Sequence, residues 1–335
     1  MDSLSQLALG AAVGIGVMGR RTTVWKAALW GAVCGTLPDL DSFIDHGDPV
    51  SNMTLHRAES HALLYLTLAA PLLAGLIARL HGETDRWRLW WLAIWLVLVT
   101  HPLLDAMTVY GTQLALPFTD HPYGVGSIFI IDPLYTLPLL IGVGVALAVR
   151  SARGRRWNLA GLALSSAYLA WSFAAQQHVE SVARNALQEQ GVTVQRLLVT
   201  PTPFNTLLWR VVAMTPEGYA EGFRSLFDDG PQMRFDAFAR GEALFTQFQG
   251  NRYAERLAWF SRGFFKTAER GGRIVVSDLR MGQEPYYTFS FAVAERQGER
   301  IEAVPPQLLR QRPDVESALA WMRQRLFDAS APPPR

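Results

Sequence analysis

Residues 87–107 read WRLWWLAIWLVLVTHPLLDAM. After Arg88 the run meets no charged side chain until Asp105. A helix needs roughly 20 apolar residues to cross the hydrocarbon of a bilayer, and this stretch supplies them. Its far end carries His101 and Asp105, four positions apart and so on one face of a helix. Ionisable groups at the rim of such a run are expensive unless paired, solvated or metal-bound, so they are functional candidates. Two expectations start here: a helical membrane domain, and a polar centre at one end of it.

Working outward, residues 61–80, 128–149 and 157–175 have the same apolar character, and shorter runs at 4–18 and 24–37 precede them. The short pair reads either as a re-entrant hairpin or as two short spans. Gly10 and Gly14 give it the small-xxx-small spacing that lets helices approach closely. The reading over residues 1–175 is therefore a polytopic α-helical membrane domain. Its links are basic: Arg20, Arg21 and Lys26, then Arg79, Arg86 and Arg88, then Arg150, Arg153, Arg155 and Arg156. With six crossings all three links share one side, which the positive-inside rule makes the cytoplasm. The expected location is the bacterial inner (plasma) membrane, multi-pass, with everything beyond residue 175 in the periplasm. The N-terminus opens on Asp2 rather than a basic stretch, so it is expected to be retained.

From residue 176 to 335 charged residues recur every few positions. Alternating β-branched runs at 192–199, 206–214, 271–277 and 286–294 predict strands, and 314–327 predicts an amphipathic helix. This half is expected to be a soluble α+β domain. It holds no Gly-rich phosphate loop and no histidine cluster. The formal charge is only +2, so nothing draws the chain to nucleic acid. The single cysteine, Cys34, excludes an internal disulfide and a thiolate metal site.

The chemistry-bearing residues gather in the first half. Asp39 and Asp41 follow the second short run, and His56, Arg57 and His61 open the next. His101 and Asp105 close the run quoted above, and Asp132 follows Ile131. Under the six-crossing topology all of them meet at the outward face. Imidazoles and carboxylates suit a divalent cation, zinc first, with manganese or iron as alternatives. The candidate ligands are Asp39, Asp41, His56, His61, His101 and Asp105. Arg57 is suited to steady a developing anion, and Asp132 to serve as a base or to orient a ligand. Six ligands exceed the three of a catalytic zinc, so either two metals or some outer members are implied. The competing reading of each pair is a capped turn or a buried hydrogen-bonded pair. A centre at head-group depth suits an amphipathic substrate, with the lipid bilayer itself as the other partner. Oligomeric state stays open.

In this order, the stretches Gly35-Thr36-Leu37-Pro38-Asp39-Leu40-Asp41, His56-Arg57 with Ser60-His61, and Thr100-His101-Pro102-Leu103-Leu104-Asp105 resemble the LexA-binding, inner-membrane-associated hydrolases. Thr108-Val109-Tyr110-Gly111-Thr112 and Ser127-Ile128-Phe129-Ile130-Ile131-Asp132-Pro133-Leu134-Tyr135 extend the likeness. It covers roughly residues 1–175 and implies a membrane-bound metal-dependent hydrolase, with the six candidate ligands at the family's polar positions. Two positions depart: Ala58 stands where the His-Arg motif usually continues with glycine, and Gln6 where some members carry histidine. The alternative function is a non-enzymatic membrane protein, with a structural polar or metal site and an outer domain that binds a periplasmic partner.

Overall fold

The computed structural model describes residues 1–310 and 314–335. The chain divides into two compact units. The first comprises Met1–Ile44, His56–Phe173 and Pro203–Asn205; the second comprises Asp45–Leu55, Ala174–Thr202 and Thr206–Arg335. The second unit thus takes a short segment out of the first half of the chain.

Seven helices come first in the chain: α1 (Ser3–Met18), α2 (Val24–Thr36), α3 (Pro49–Leu55), α4 (Leu63–Leu80), α5 (Trp87–Ala106), α6 (Pro133–Val149) and α7 (Ala152–Glu189). Of these, α3 belongs to the second unit, and α7 passes from the first into the second after Phe173. Asp2 starts α1 by accepting from the backbone N–H groups of Leu4 and Ser5, which satisfies donors the helix cannot. α1 and α2 then run in backbone contact. A Cβ built on Gly10 would stand 2.2 Å from the Gly31 carbonyl oxygen, and one on Gly14 would stand 2.4 Å from that of Ala27. No side chain fits at this crossing, which is the use of the Gly10/Gly14 spacing. Around it pack Ile15, Met18, Ile77, Trp90, Ile94, Val97 and Leu98, all buried.

The expectation of a polytopic membrane domain is not met. Among the described residues two helices are long and apolar enough to cross a membrane, Leu63–Leu80 and Thr84–Ala106. The six-crossing topology falls with it. The reasons are local. The run at 128–149 loses its first residues, because Asp132 caps α6 and the helix begins only at Pro133. α7 is long, but polar residues interrupt its apolar run and turn into the protein. Asn158 donates to the Ala12 carbonyl at 2.9 Å, and Ser165 to that of Tyr135 at 2.7 Å.

The second unit is built on antiparallel sheets. β1 (Arg196–Pro201), β2 (Leu208–Met214), β3 (Tyr219–Ser225) and β4 (Phe235–Phe238) form one in sequential order. After α8 (Glu242–Thr246) and α9 (Arg252–Phe260) come β5 (Phe265–Arg270), β6 (Arg273–Asp278), β7 (Gly282–Gln283), β8 (Tyr286–Tyr287), β9 (Ser290–Gln297) and β10 (Arg300–Leu308). The second sheet runs β10-β9-β6-β5, and β7 pairs with β8. α10 (Val315–Arg325) follows. β2 and β6 lie over the expected strands at 206–214 and 271–277, whereas the run at 286–294 splits into β8 and the start of β9. Within this unit α3 packs on α9 and β10, and Arg256 Nε on α9 donates to Thr54 Oγ1.

Candidate metal centre

Three stretches of the first unit bring the centre together. Asp39 sits on the 3-10 turn Pro38–Phe43, directly after α2. His61 ends the short turn Glu59–His61 that leads into α4. His101 and Asp105 occupy the last turns of α5, which stays helical through Pro102. One ligand atom from each of these four lies within 4.8 Å of all the others. His61 Nε2 is 3.1 Å from His101 Nε2. Asp105 Oδ2 is 3.2 Å from the first and 3.3 Å from the second, and Asp39 Oδ1 is 3.5 Å from each.

The hydrogen bonds fix which ring nitrogens carry protons. His101 Nδ1 is 2.6 Å from the Gly35 carbonyl oxygen. A carbonyl only accepts, so Nδ1 holds the hydrogen, and in the neutral ring Nε2 presents a lone pair. Ser60 Oγ donates to Asp41 Oδ2 at 2.5 Å, so it accepts from His61 Nδ1 at 2.8 Å. Nε2 of His61 is therefore a lone pair as well. Asp105 Oδ1 takes bonds from Gln6 Nε2 at 3.1 Å and from the nitrogen of Met1, with Arg57 Nη2 at 3.4 Å. Asp105 Oδ2, in contrast, has no hydrogen-bond partner although it is fully buried. It lies within ion-pair distance of both imidazoles, and in their neutral forms neither presents a proton to it.

Two lone pairs and two carboxylate oxygens converging in a buried space repel one another unless a cation lies between them. Five of the six separations are 3.1–3.5 Å and all lie within 4.8 Å; a tetrahedron with edges of about 3.3 Å would put its corners about 2.0 Å from the centre, near the zinc–nitrogen and zinc–oxygen bond length. Two carboxylates also balance the charge of a divalent ion. The residues present therefore fit a metal. With no cation, a proton has to take its place. Burial works against charge on His61, but its contacts with Asp105, Asp39 and Asp41 outweigh that and hold the imidazole up to about 9. Burial likewise opposes ionisation of Asp39, yet hydrogen bonds with His101 and His61 keep it below the usual carboxylate range. Metal binding displaces protons from such a site.

The remaining expected residues stand outside the four. Asp41 and His56, expected as ligands, pair with each other, His56 Nδ1 lying 2.8 Å from Asp41 Oδ1. The other oxygen of Asp41 takes the Arg57 backbone N–H at 2.9 Å besides Ser60. Both oxygens are thus engaged, and Asp41 meets His61 through Ser60, outside the four converging atoms. These contacts, from His56 first, hold Asp41 below the usual carboxylate range against the effect of its burial. Arg57, expected to steady an anion, is buried against Asp105 and over the Tyr110 ring at 5.0 Å, with Thr108 Oγ1 at 3.4 Å from Nη1. It adopts a φ of 65°, a left-handed conformation strained for this residue. Asp132, expected as base or orienter, instead accepts from the N–H groups of Leu134 and Tyr135 and from the Tyr168 hydroxyl at 2.9 Å. It is the cap of α6. The roles of Ser60, Gly35 and Gln6 escaped the sequence reading, since nothing in a sequence says which carbonyl or hydroxyl will meet an imidazole.

Outer partners of this kind are worth roughly 10–100-fold in metal affinity. Asp41→Asn removes the negative charge behind Ser60 and leaves one oxygen to accept where Asp41 offers two. It is expected to weaken zinc binding by about that factor, read by titration against a competing chelator. Unchanged affinity would detach Asp41 from the centre.

No curated protein and no solved structure matches the chain. The family model described as YdjM inner membrane protein matches residues 1–179, more than half of the 335 and every residue of the centre. The inner membrane expected from the apolar runs is the membrane named in that description. By that match, the chain belongs to the YdjM inner membrane protein family.

Proposed function

We propose that this chain is a metal-dependent hydrolase of the inner membrane, acting on a lipid or a lipid-linked ester or phosphoester at the outer face. The observation that carries the reading is the convergence of His61 Nε2, His101 Nε2, Asp39 Oδ1 and Asp105 Oδ2, each imidazole lying 3.1–3.5 Å from the other and from both carboxylate oxygens. Zinc suits the set best; manganese or iron are the alternatives. A bound metal of this kind lowers the pKa of water and polarises a carbonyl or phosphoryl oxygen. The chain's own residues hold the ligands. Gly35 and the Ser60–Asp41 pair orient the two imidazoles, while Gln6 and Arg57 hold the far oxygen of Asp105. Asp39, with 17 % of its side chain exposed, is the accessible ligand and marks the side from which water and substrate enter.

The outer face is supported by charge. α4 and α5 pack as a pair, and their link carries Arg79, Arg86 and Arg88. The positive-inside rule assigns that link to the cytoplasm. The centre lies at the opposite ends of both helices, hence toward the periplasm of a bacterium.

A second reading has its own observation. Four protein ligands fill a tetrahedron, as structural zinc sites do. In that case the metal ties the ends of α2, α4 and α5 together without turnover. One experiment separates the two. The purified full chain is assayed for bound metal, then incubated with vesicles of phosphatidylethanolamine and phosphatidylglycerol before and after stripping with chelator. About one metal per chain and metal-dependent release of fatty acid or phosphate support the hydrolase. Metal without turnover leaves the structural reading, and the absence of metal removes both.

A further inference from the structure

We propose that the turn Pro38–Phe43, together with Ile44, inserts into the bilayer and sets the metal centre against the head-group layer, so that a lipid reaches Asp39 without leaving the membrane. The insertion stands on its own observations; the use made of it for substrate rests on the hydrolase reading.

The turn has two sides of opposite character. Asp39 and Asp41 point to the centre and its imidazoles. Leu40, Phe43 and Ile44 are 54 %, 84 % and 56 % exposed, and Phe43 is the most exposed large apolar side chain among the described residues. In a 3-10 turn residues three apart eclipse one another, so Leu40 and Phe43 project together while the carboxylates project elsewhere. The apolar side continues along neighbouring elements. α2 exposes Trp25, Leu29 and Val33 at four-residue spacing just before the turn. α4, one of the two helices able to cross a membrane, exposes Leu64, Leu68, Leu72, Leu76 and Leu80, starting next to His61.

Exposed apolar side chains on the turn, α2 and α4 together mark an interaction site. The chain belongs to an inner-membrane family, and the stripe on α4 is long enough to meet hydrocarbon along a whole span. The occupant is therefore the bilayer. The accessible ligand adjoins the inserted side: Asp39 is 17 % exposed, whereas the other three are at most 1 %, and Leu40 is its neighbour in the chain. The substrate that fits is an amphiphile whose reacting bond lies at head-group depth while its chain stays beside Leu40 and Phe43.

Spin labelling tests the insertion without reference to turnover. Cys34 is buried and burial pushes its thiol up to about 12, so a cysteine introduced by Phe43→Cys or Leu40→Cys takes the label alone. The full chain is reconstituted in phosphatidylethanolamine and phosphatidylglycerol vesicles, with retained zinc as the check on folding. Each label is exposed to molecular oxygen, which concentrates in hydrocarbon, and to a water-soluble nickel chelate. A Glu59→Cys label, at an exposed polar position, gives the aqueous reference. Oxygen is expected to dominate at 40 and 43 and the nickel chelate at 59. Nickel dominance at 43 would overturn the proposal, as would shielding from both reagents, which would mean that protein covers the turn. Absence of hydrolysis by the unsubstituted, metal-loaded chain, with oxygen dominance at 40 and 43, would sink the hydrolase reading and leave the insertion standing.

Discussion

Changing His101 to alanine is expected to leave the protein without stoichiometric metal. The substitution removes one of the two lone pairs that converge at 3.1 Å and takes away the donor that satisfies the Gly35 carbonyl. What remains is one imidazole and two carboxylates in a space where His61 and Asp105 are fully buried. A cation held there would lose a ligand that the buried wall cannot replace with water. Loss of an outer partner alone costs roughly 10–100-fold in affinity, and loss of a direct ligand is expected to exceed the upper end of that range. Metal analysis after dialysis reads the result. His56→Ala is the control, because His56 faces Asp41 and lies outside the four. Retention by His101→Ala with loss in His56→Ala would invert the assignment of the centre.

Gly10→Leu is expected to have the largest effect on folding. Both partners at the crossing are backbone: the Gly10 Cβ position is 2.2 Å from the Gly31 oxygen, and the Gly31 Cβ position is 2.2 Å from the Gly10 oxygen. Ordinary overpacking costs about 1–3 kcal/mol because side chains can shift. Here no side chain is available to yield, so the helices must separate and the cost goes beyond that range. The damage reaches the centre, since α1 carries Gln6 and α2 leads through Gly35 into Asp39. The expected outcome is a large fall in melting temperature, or no monodisperse protein, together with loss of bound metal. Gly10→Ala should move both measurements in the same direction by less. An unchanged melting temperature in Gly10→Leu would mean that α1 and α2 do not cross at this point.

The centre was more legible in the sequence than the membrane topology was. Asp39, His61, His101 and Asp105 could be named because imidazole and carboxylate are costly near apolar runs, and His101 and Asp105 share a helical face. Separating them from Asp41 and His56 was out of reach. On the irregular stretch between α2 and α4 no periodicity says which side chain points inward, and Asp41 and His56 face each other instead of joining the four that converge. The spans failed for a different reason. Apolar composition records that a side chain avoids water, not whether lipid or protein covers it. Ile128 is buried in a protein core, and Asn158, Ser165 and Ser172 are buried polar side chains within an apparent span. β2 and β6 were visible by alternation, whereas β3, β4, β5 and β10 had no expected counterpart, and the strand order required contacts between residues far apart in the chain.

The segment Asp45–Leu55 carries a practical lesson for anyone dissecting this protein. It follows Asp41 by a few residues and ends just before His56, yet its fold partners lie some two hundred positions downstream, on α9 and β10. A gene fragment stopped behind Phe173 would keep every candidate ligand but leave Val50 and Met53, now buried, facing solvent. The matched region at 1–179 is thus a stretch of homology and not an excisable module, and expression trials are better begun with the whole chain.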